Sequence, residues 1–347
     1  MKLALVLVLG AVVSCGSKRA PVPTGGDPRP RPAGARPPLE RELEASVLEA
    51  YSHLTLGNFE PYADNIAEGL DLMFFGTGSR NVIFGPDQGG SWIDHRPFGR
   101  SVGLRLFSKN LRVAISEDAQ VGWVSDEISY RVPHRFRLAN GAEIERIASI
   151  PIRTTSLYLR EVDRYVLVLE HLSYPLPERD IVELARGKEL RAPVEIPKTP
   201  VDDAVAAAIK GTIQLFHGLA AGDPMDSLSA RVPVSVFLPT PMGEVHDARQ
   251  HGVPYLQDLV RSLNGEAKLR LTRHRIVHEG TMAWVAANLE VSSRVGNDST
   301  TIRLRGTYLL EKLPGGPWRI VQVHISVPLE QAQIDERVFG APEQDAM

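Results

Sequence analysis

The feature that most constrains this chain is an internal repeat. Three pieces recur in the same order. The run from Ala50 to Asn58, with Tyr51, Leu54 and Gly57, is matched by the run from Leu215 to Asp223, with Phe216, Leu219 and Gly222. Trp123-Val124 is matched by Trp284-Val285, and His171, Ser173 and Pro175 by His324, Ser326 and Pro328. The offsets are 165, 161 and 153 residues, and they shrink steadily, as loop insertions and deletions would make them. Three matches in register predict two tandem copies of one unit, over 39–176 and 201–330.

Each copy reads the same way. Leu43, Val47, Leu48, Tyr51 and Leu54 recur at helical spacing, and so do Ala208, Ile209, Thr212, Phe216 and Leu219. Gly57 and Gly222 stand where a helix C-terminus wants a left-handed residue. Strands follow, near 121–128 and 282–291; in the second, Ala283, Val285, Ala287, Leu289 and Val291 alternate with Trp284, Ala286, Asn288 and Glu290. Each copy closes on an antiparallel hairpin, turning at 161–164 and at 314–316. Residues 177–200 link the copies, with a short helix expected near 177–191, and 331–347 form a C-terminal tail.

The N-terminus is of another kind. Lys2 precedes an apolar run of about eleven residues, too short to span a bilayer as a helix but suited to a signal peptide. Val12-Val13-Ser14-Cys15 follows and resembles the lipobox of bacterial lipoproteins. That resemblance implies removal of 1–14, lipid on Cys15, and a protein anchored in the cell envelope. The absence of Asp after the cysteine points to the outer membrane rather than the inner. Residues 15–38 hold seven prolines and no core-forming pattern, so they read as an extended tether. At roughly 3 Å per residue it reaches at most about 70 Å. Cys15 is the one cysteine, so no disulfide framework and no cysteine metal site is available. With 39 basic and 42 acidic residues the chain lacks the strong basic face that nucleic acid requires.

The order of helix, short helical segments and sheet, ending in Trp318-Arg319-Ile320-Val321 through His324, Ser326 and Pro328, resembles the SnoaL-like branch of the nuclear-transport-factor-two-like superfamily. Ala220-Ala221-Gly222-Asp223 and Ala283-Trp284-Val285 carry the same resemblance. The first copy departs from it, with Tyr165 for the tryptophan and Asn58 for the aspartate. The resemblance implies an α+β fold: tandem cone-shaped barrels, each with helices packed on a curved antiparallel sheet around a pocket. Members often dimerise through the sheet face, which implies that the two copies pair as an intramolecular pseudo-dimer.

Nothing here matches a nucleophile elbow, a phosphate loop, a dinucleotide-binding glycine pattern or a zinc-protease helix. No cofactor or metal is therefore expected. The candidate pocket residues are Trp92, Asp126, Arg153, His171, Trp284, Asn288, Arg303 and His324. His171 and His324 hold equivalent places on the last strand of each copy and could act as bases; the preferred reading is two structural histidines satisfied by backbone carbonyls. Asp126 and Glu127 fall on opposite strand faces, so only one can look inward. Enzymes of the superfamily use an inward carboxylate, but a solvated edge carboxylate is preferred here. Arg153 and Arg303 align if Tyr158 matches Tyr308, and an inward arginine would suit an anion. His274 and His278 share a strand face about 13 Å apart, too far for one metal. The expectation is non-catalytic binding of a small molecule or protein. The alternative is an acid–base enzyme of the isomerase, cyclase or dehydratase type.

Overall fold

The computed structural model describes residues 38–67, 72–85, 92–98, 100–137, 140–162, 164–176, 195–238, 244–245, 267–295, 298–329 and 333. The signal segment at 1–14, Cys15 and the tether up to residue 37, the helix expected at 177–191, and nearly all of the tail lie outside them.

Helix α1 (Pro38–Leu56) starts on a proline whose φ already suits a first helical residue, and Glu40 lies in its first turn. Leu43, Val47, Ala50, Tyr51 and Leu54 are buried, whereas Leu48 is 44% exposed. The apolar stripe is therefore narrower than the sequence pattern. Gly57, at φ +73°, ends the helix, and the Asn58 N–H donates to the His53 carbonyl at 2.9 Å. Short helices α2 (Phe59–Ala63) and α3 (Trp92–His95) follow. Helix α4 (Asp203–Phe216) opens the second half, with the Asp202 carboxylate accepting from the Ala204 and Val205 N–H groups. It buries Ile209, Ile213 and Phe216. It ends earlier than the repeat implies. Gly218, at φ +67°, is the left-handed residue, and the Leu219 N–H donates to the Gln214 carbonyl at 2.8 Å. Gly222 therefore caps nothing here, and Ala208 and Leu219 are exposed.

Two sheets hold the strands. The first contains β1 (Met73–Phe75), β2 (Val82–Phe84), β3 (Arg105–Ser108), β4 (Arg112–Ile115), β5 (Val121–Arg137), β6 (Glu143–Glu161) and β7 (Arg164–Ser173), in the order β2-β1-β7-β6-β5-β3, with β4 also on β5. The second contains β8 (Ser235–Phe237), β9 (Glu244–Val245), β10 (Ala267–Glu279), β11 (Met282–Val295), β12 (Asp298–Lys312) and β13 (Trp318–Ser326). Its order, β9-β8-β13-β12-β11-β10, runs parallel to the first. Both are open sheets rather than closed barrels, and both are mixed. β1 pairs parallel to β7, and β8 parallel to β13. These short strands enter after helical segments rather than by a hairpin, so either direction is open to them. The fold is α+β.

Strand alternation sends side chains to two cores. One lies under the helices and includes Leu43, Tyr51, Trp92, Tyr130, Ile209, Phe216 and Tyr308. The other is shared by the two sheets: Met73, Phe75, Val121, Trp123, Leu157 and Val168 of the first meet Val277, Met282, Trp284, Leu309 and Val321 of the second. A further cross-link joins the halves where the Ser79 N–H donates to the Leu329 carbonyl and the Leu329 N–H to the Thr77 carbonyl.

Candidate functional site

The candidate residues separate into two places on opposite faces of the first sheet. Between the sheets, His171 of β7 and His324 of β13 stack ring on ring, with centroids 3.9 Å apart and planes 13° from parallel. Both are wholly buried. The partners of each ring are hydroxyls of the opposite sheet, not backbone carbonyls. His171 Nδ1 lies 2.8 Å from Thr307 Oγ1, and its Nε2 lies 2.7 Å from Ser326 Oγ. His324 Nε2 lies 2.7 Å from Ser173 Oγ, and its Nδ1 lies 3.1 Å from Thr155 Oγ1. The Gln322 amide donates to Thr155 Oγ1 at 2.8 Å. Thr155 Oγ1, which accepts from Gln322, has its own proton to give His324 Nδ1, and in that tautomer Nε2–H donates to Ser173. Burial, then the Arg305 cation, holds His171 well below the usual histidine range. Burial, His171 and Arg153 do the same to His324. The pair is neutral, and its nitrogens are engaged.

Two arginines flank this seam. Arg153 Nη1 donates to the Leu238 carbonyl at 2.6 Å, and Arg305 donates to the carbonyls of Gly76, Gly78 and Ser79. Each reaches from one half into the other. Arg153 pairs with Ser173, and Arg305 pairs with Ser326. Arg305, not Arg303, is thus the counterpart of Arg153. The alignment through Tyr158 and Tyr308 is wrong by two residues, a slip that keeps every side chain on its face and so leaves the alternation unchanged. Arg303 sits half-buried, its Nε 3.4 Å from Glu290. Trp284 belongs to the shared core, and Asn288 is buried on the same strand face.

Under the helices lies a second polar group. Trp92 of α3 donates through Nε1 to Glu170 Oε2 at 2.8 Å. Arg96 pairs with the same oxygen and donates to Tyr62 Oη at 2.6 Å and Tyr130 Oη at 2.9 Å. Burial alone would lower the Arg96 pKa, but Glu170 raises it well above its usual value. Burial raises the pKa of Tyr51, Tyr62, Tyr130 and Tyr158 above the usual tyrosine range. Glu170 and Arg96 carry no repeat signal. Glu170 lies inside an apolar strand, and only its alternation with His171 could have marked it.

Asp126 faces the same interior. It is wholly buried on β5, a central strand, not a solvated edge. The Asn110 N–H donates to Oδ1 at 3.0 Å, while Oδ2 has no hydrogen-bond partner. Burial pushes its pKa up to about 6 against the pull of Ser108 and of nearby backbone N–H groups. It can hold or release a proton near neutrality. Glu127, on the opposite face, pairs with Lys109 at the surface. In the second half, His217 Nε2 meets Tyr308 Oη at 2.6 Å, and burial brings its pKa down to about 4. Among the described residues no three His, Cys, Asp or Glu side chains gather as a metal site, and no described helix is long and apolar enough to cross a membrane.

Residues 209–330 match the model of the SnoaL-like domain family. No curated protein matches the chain. Among solved structures it is similar to a candidate ketosteroid isomerase from Shewanella frigidimarina, at 18% identity and a TM-score of 0.31, covering 38% of this chain and 100% of that one. It is also similar to a candidate dehydratase of the nuclear-transport-factor-two-like family from Streptomyces avermitilis, at 12% identity and a TM-score of 0.33, covering 40% and 97%. A third is a candidate calcium/calmodulin-dependent protein kinase II association domain from Xanthomonas campestris, at 19% identity and a TM-score of 0.31, covering 40% and 88%.

Proposed function

We propose that this chain is an exported lipoprotein, held to the outer membrane by lipid on Cys15, whose two SnoaL-like domains arose by duplication, pair as an intramolecular pseudo-dimer, and form a non-catalytic binding unit. The matching strand orders of the two sheets support the duplication. The hydroxyl-bonded histidine stack and the crossed arginines support the pairing. The non-catalytic reading rests on one observation. The carboxylate under the first set of helices, Glu170, is neutralised by Arg96 and held by Trp92, and a base so engaged has little capacity to take a substrate proton.

One observation favours a second reading, an acid–base enzyme: Asp126 is inward, buried, and has one oxygen without a partner. The test has two arms. Mass spectrometry of the membrane fraction reads the anchor: acylated Cys15 is expected, and Cys15→Ala releases the protein. Incubation with a metabolite extract reads catalysis: ligands are expected to be retained unchanged. A metabolite consumed by the parent but not by Asp126→Asn would replace the binding reading with the enzyme.

A further inference from the structure

A groove of 690 Å³ opens between the linker after residue 194, helix α4 and edge strand β10. It lies apart from the histidine seam and from the Arg96–Glu170 group, and its volume is that of a small-molecule site. Its apolar walls are Ile196, Val201, Ala206 and Ile276. Ile196 also plugs into the core shared by the sheets, so that wall is fixed in place.

Charge is unevenly distributed here. Lys198 from the linker, Lys210 from α4, and Arg273 with His274 from β10 all line the groove. Arg273 and His274 are neighbours that a regular strand would send to opposite faces. β10 is an edge strand whose free side borders the groove, and its register slips just before these two residues, between Leu271 and Arg273. Burial, then Lys210 and Lys198, lowers the His274 pKa, which places both lysines within electrostatic reach of the ring. Glu195 and Asp203 also line the groove, and no ion pair joins either to these cations. The Thr199 hydroxyl, in the same lining, is buried without a hydrogen-bond partner. Three cations without an ion pair among the described residues, an unsatisfied hydroxyl and apolar walls complement one kind of molecule.

We infer that this groove binds an amphipathic anion, an apolar body ending in a carboxylate or phosphate, with Lys198 and Lys210 on its charged head and Ile196 and Ile276 on its body. The inference rests on the binding reading above and gives it a site and a ligand class. Such an anion could come from a lipid of the adjoining membrane or from solution.

The test titrates the purified chain with decanoate, decyl phosphate and decanol by calorimetry. One anion per chain is expected, with decanol at least tenfold weaker. Lys198→Gln/Lys210→Gln should weaken the anions at least tenfold at an unchanged melting temperature. Phosphatidylglycerol vesicles separate the sources: extraction of that lipid, lost in the double variant, identifies the membrane, while decyl phosphate binding without extraction identifies a soluble anion. Decanol binding as tightly as the anions, an unaffected double variant, or no anion binding would each overturn the inference. None of these would touch the non-catalytic reading, which stands or falls on turnover.

Discussion

Asp126 and Glu170 show two fates for a carboxylate buried under the same helices. Glu170 has a cation and an indole; Asp126 has only neutral donors, the Asn110 N–H among them, and an oxygen with no partner. A folded pKa of about 6 against 3.8 means that the folded state binds more protons between those values. Asp126 therefore weakens the fold as pH rises from about 4 to 6, and the full penalty, about 3 kcal/mol at 1.4 kcal/mol per unit, is present above 6. Asp126→Asn, which keeps the acceptor for Asn110, is expected to raise stability by about 1–3 kcal/mol at pH 7.5 and by almost nothing at pH 4, read by urea unfolding. Glu170 differs in having a buried cation as its partner. Glu170→Ala strands the Arg96 cation and is expected to cost about 3–5 kcal/mol. Adding Arg96→Met should recover most of that loss in a double-mutant cycle, because the cost lies in the uncompensated charge. Glu170 was not legible as part of a site, and Asp126 was marked as a candidate but expected at a solvated edge. Asp126 alternates correctly, but its burial depends on β3 and β4 both pairing with β5, which no local pattern encodes.

At the scale of elements, the seating of helices on sheets was partly legible. Periodicity finds α1 and α4 and the face of each, but it includes Leu48, Ala208 and Leu219, because helical spacing does not say how wide the buried stripe will be. Of the two glycines marked as helix ends, Gly57 serves and Gly222 does not. Gly218 was passed over because the repeat drew attention to the copied position. Gly122 has a role no pattern announces: a Cβ there would lie 2.4 Å from Leu43 Cδ2 and 3.0 Å from Ile115 Cδ1. Leu43 of α1 packs into the space that side chain would occupy. Gly122→Ala is expected to cost about 1–3 kcal/mol by overpacking, read as a lower thermal midpoint. Thr155 and Thr307, the hydroxyls that receive the histidines, sit on β6 and β12 in equivalent pairings with His171 and His324. Their equivalence became visible only with the bulges that place Arg153 against Arg305.

Across the whole molecule, two sheets share a core whose polar centre is neutral and hydrogen-bonded throughout its histidine nitrogens. Protonation of His171, His217 and His324 is disfavoured in the fold. Below their unfolded pKa of about 6.5 the unfolded chain binds protons that the fold refuses, so these groups make stability fall as pH drops. His324→Ala should cost about 2–4 kcal/mol, since it removes the stack and leaves Ser173 and Thr155 without their ring partner. It should also flatten that acid loss between pH 6.5 and 5. The repeat made a strand order shared by the two halves foreseeable, but not which order, nor the parallel pairs β1–β7 and β8–β13. The crossed arginines and the Ser79–Leu329 pairing were not foreseeable either, since they depend on how one half meets the other. Ser125 Oγ of β5 and Ser235 Oγ of β8 stand 3.2 Å apart across that meeting. Replacing both with cysteine in a Cys15→Ala chain tests the arrangement most directly. Mild oxidation should close a disulfide within each chain, with both thiols lost, a monomeric mass and unchanged circular dichroism. Thiols that stay free, or that join separate chains, would contradict the face-to-face pairing of the two sheets.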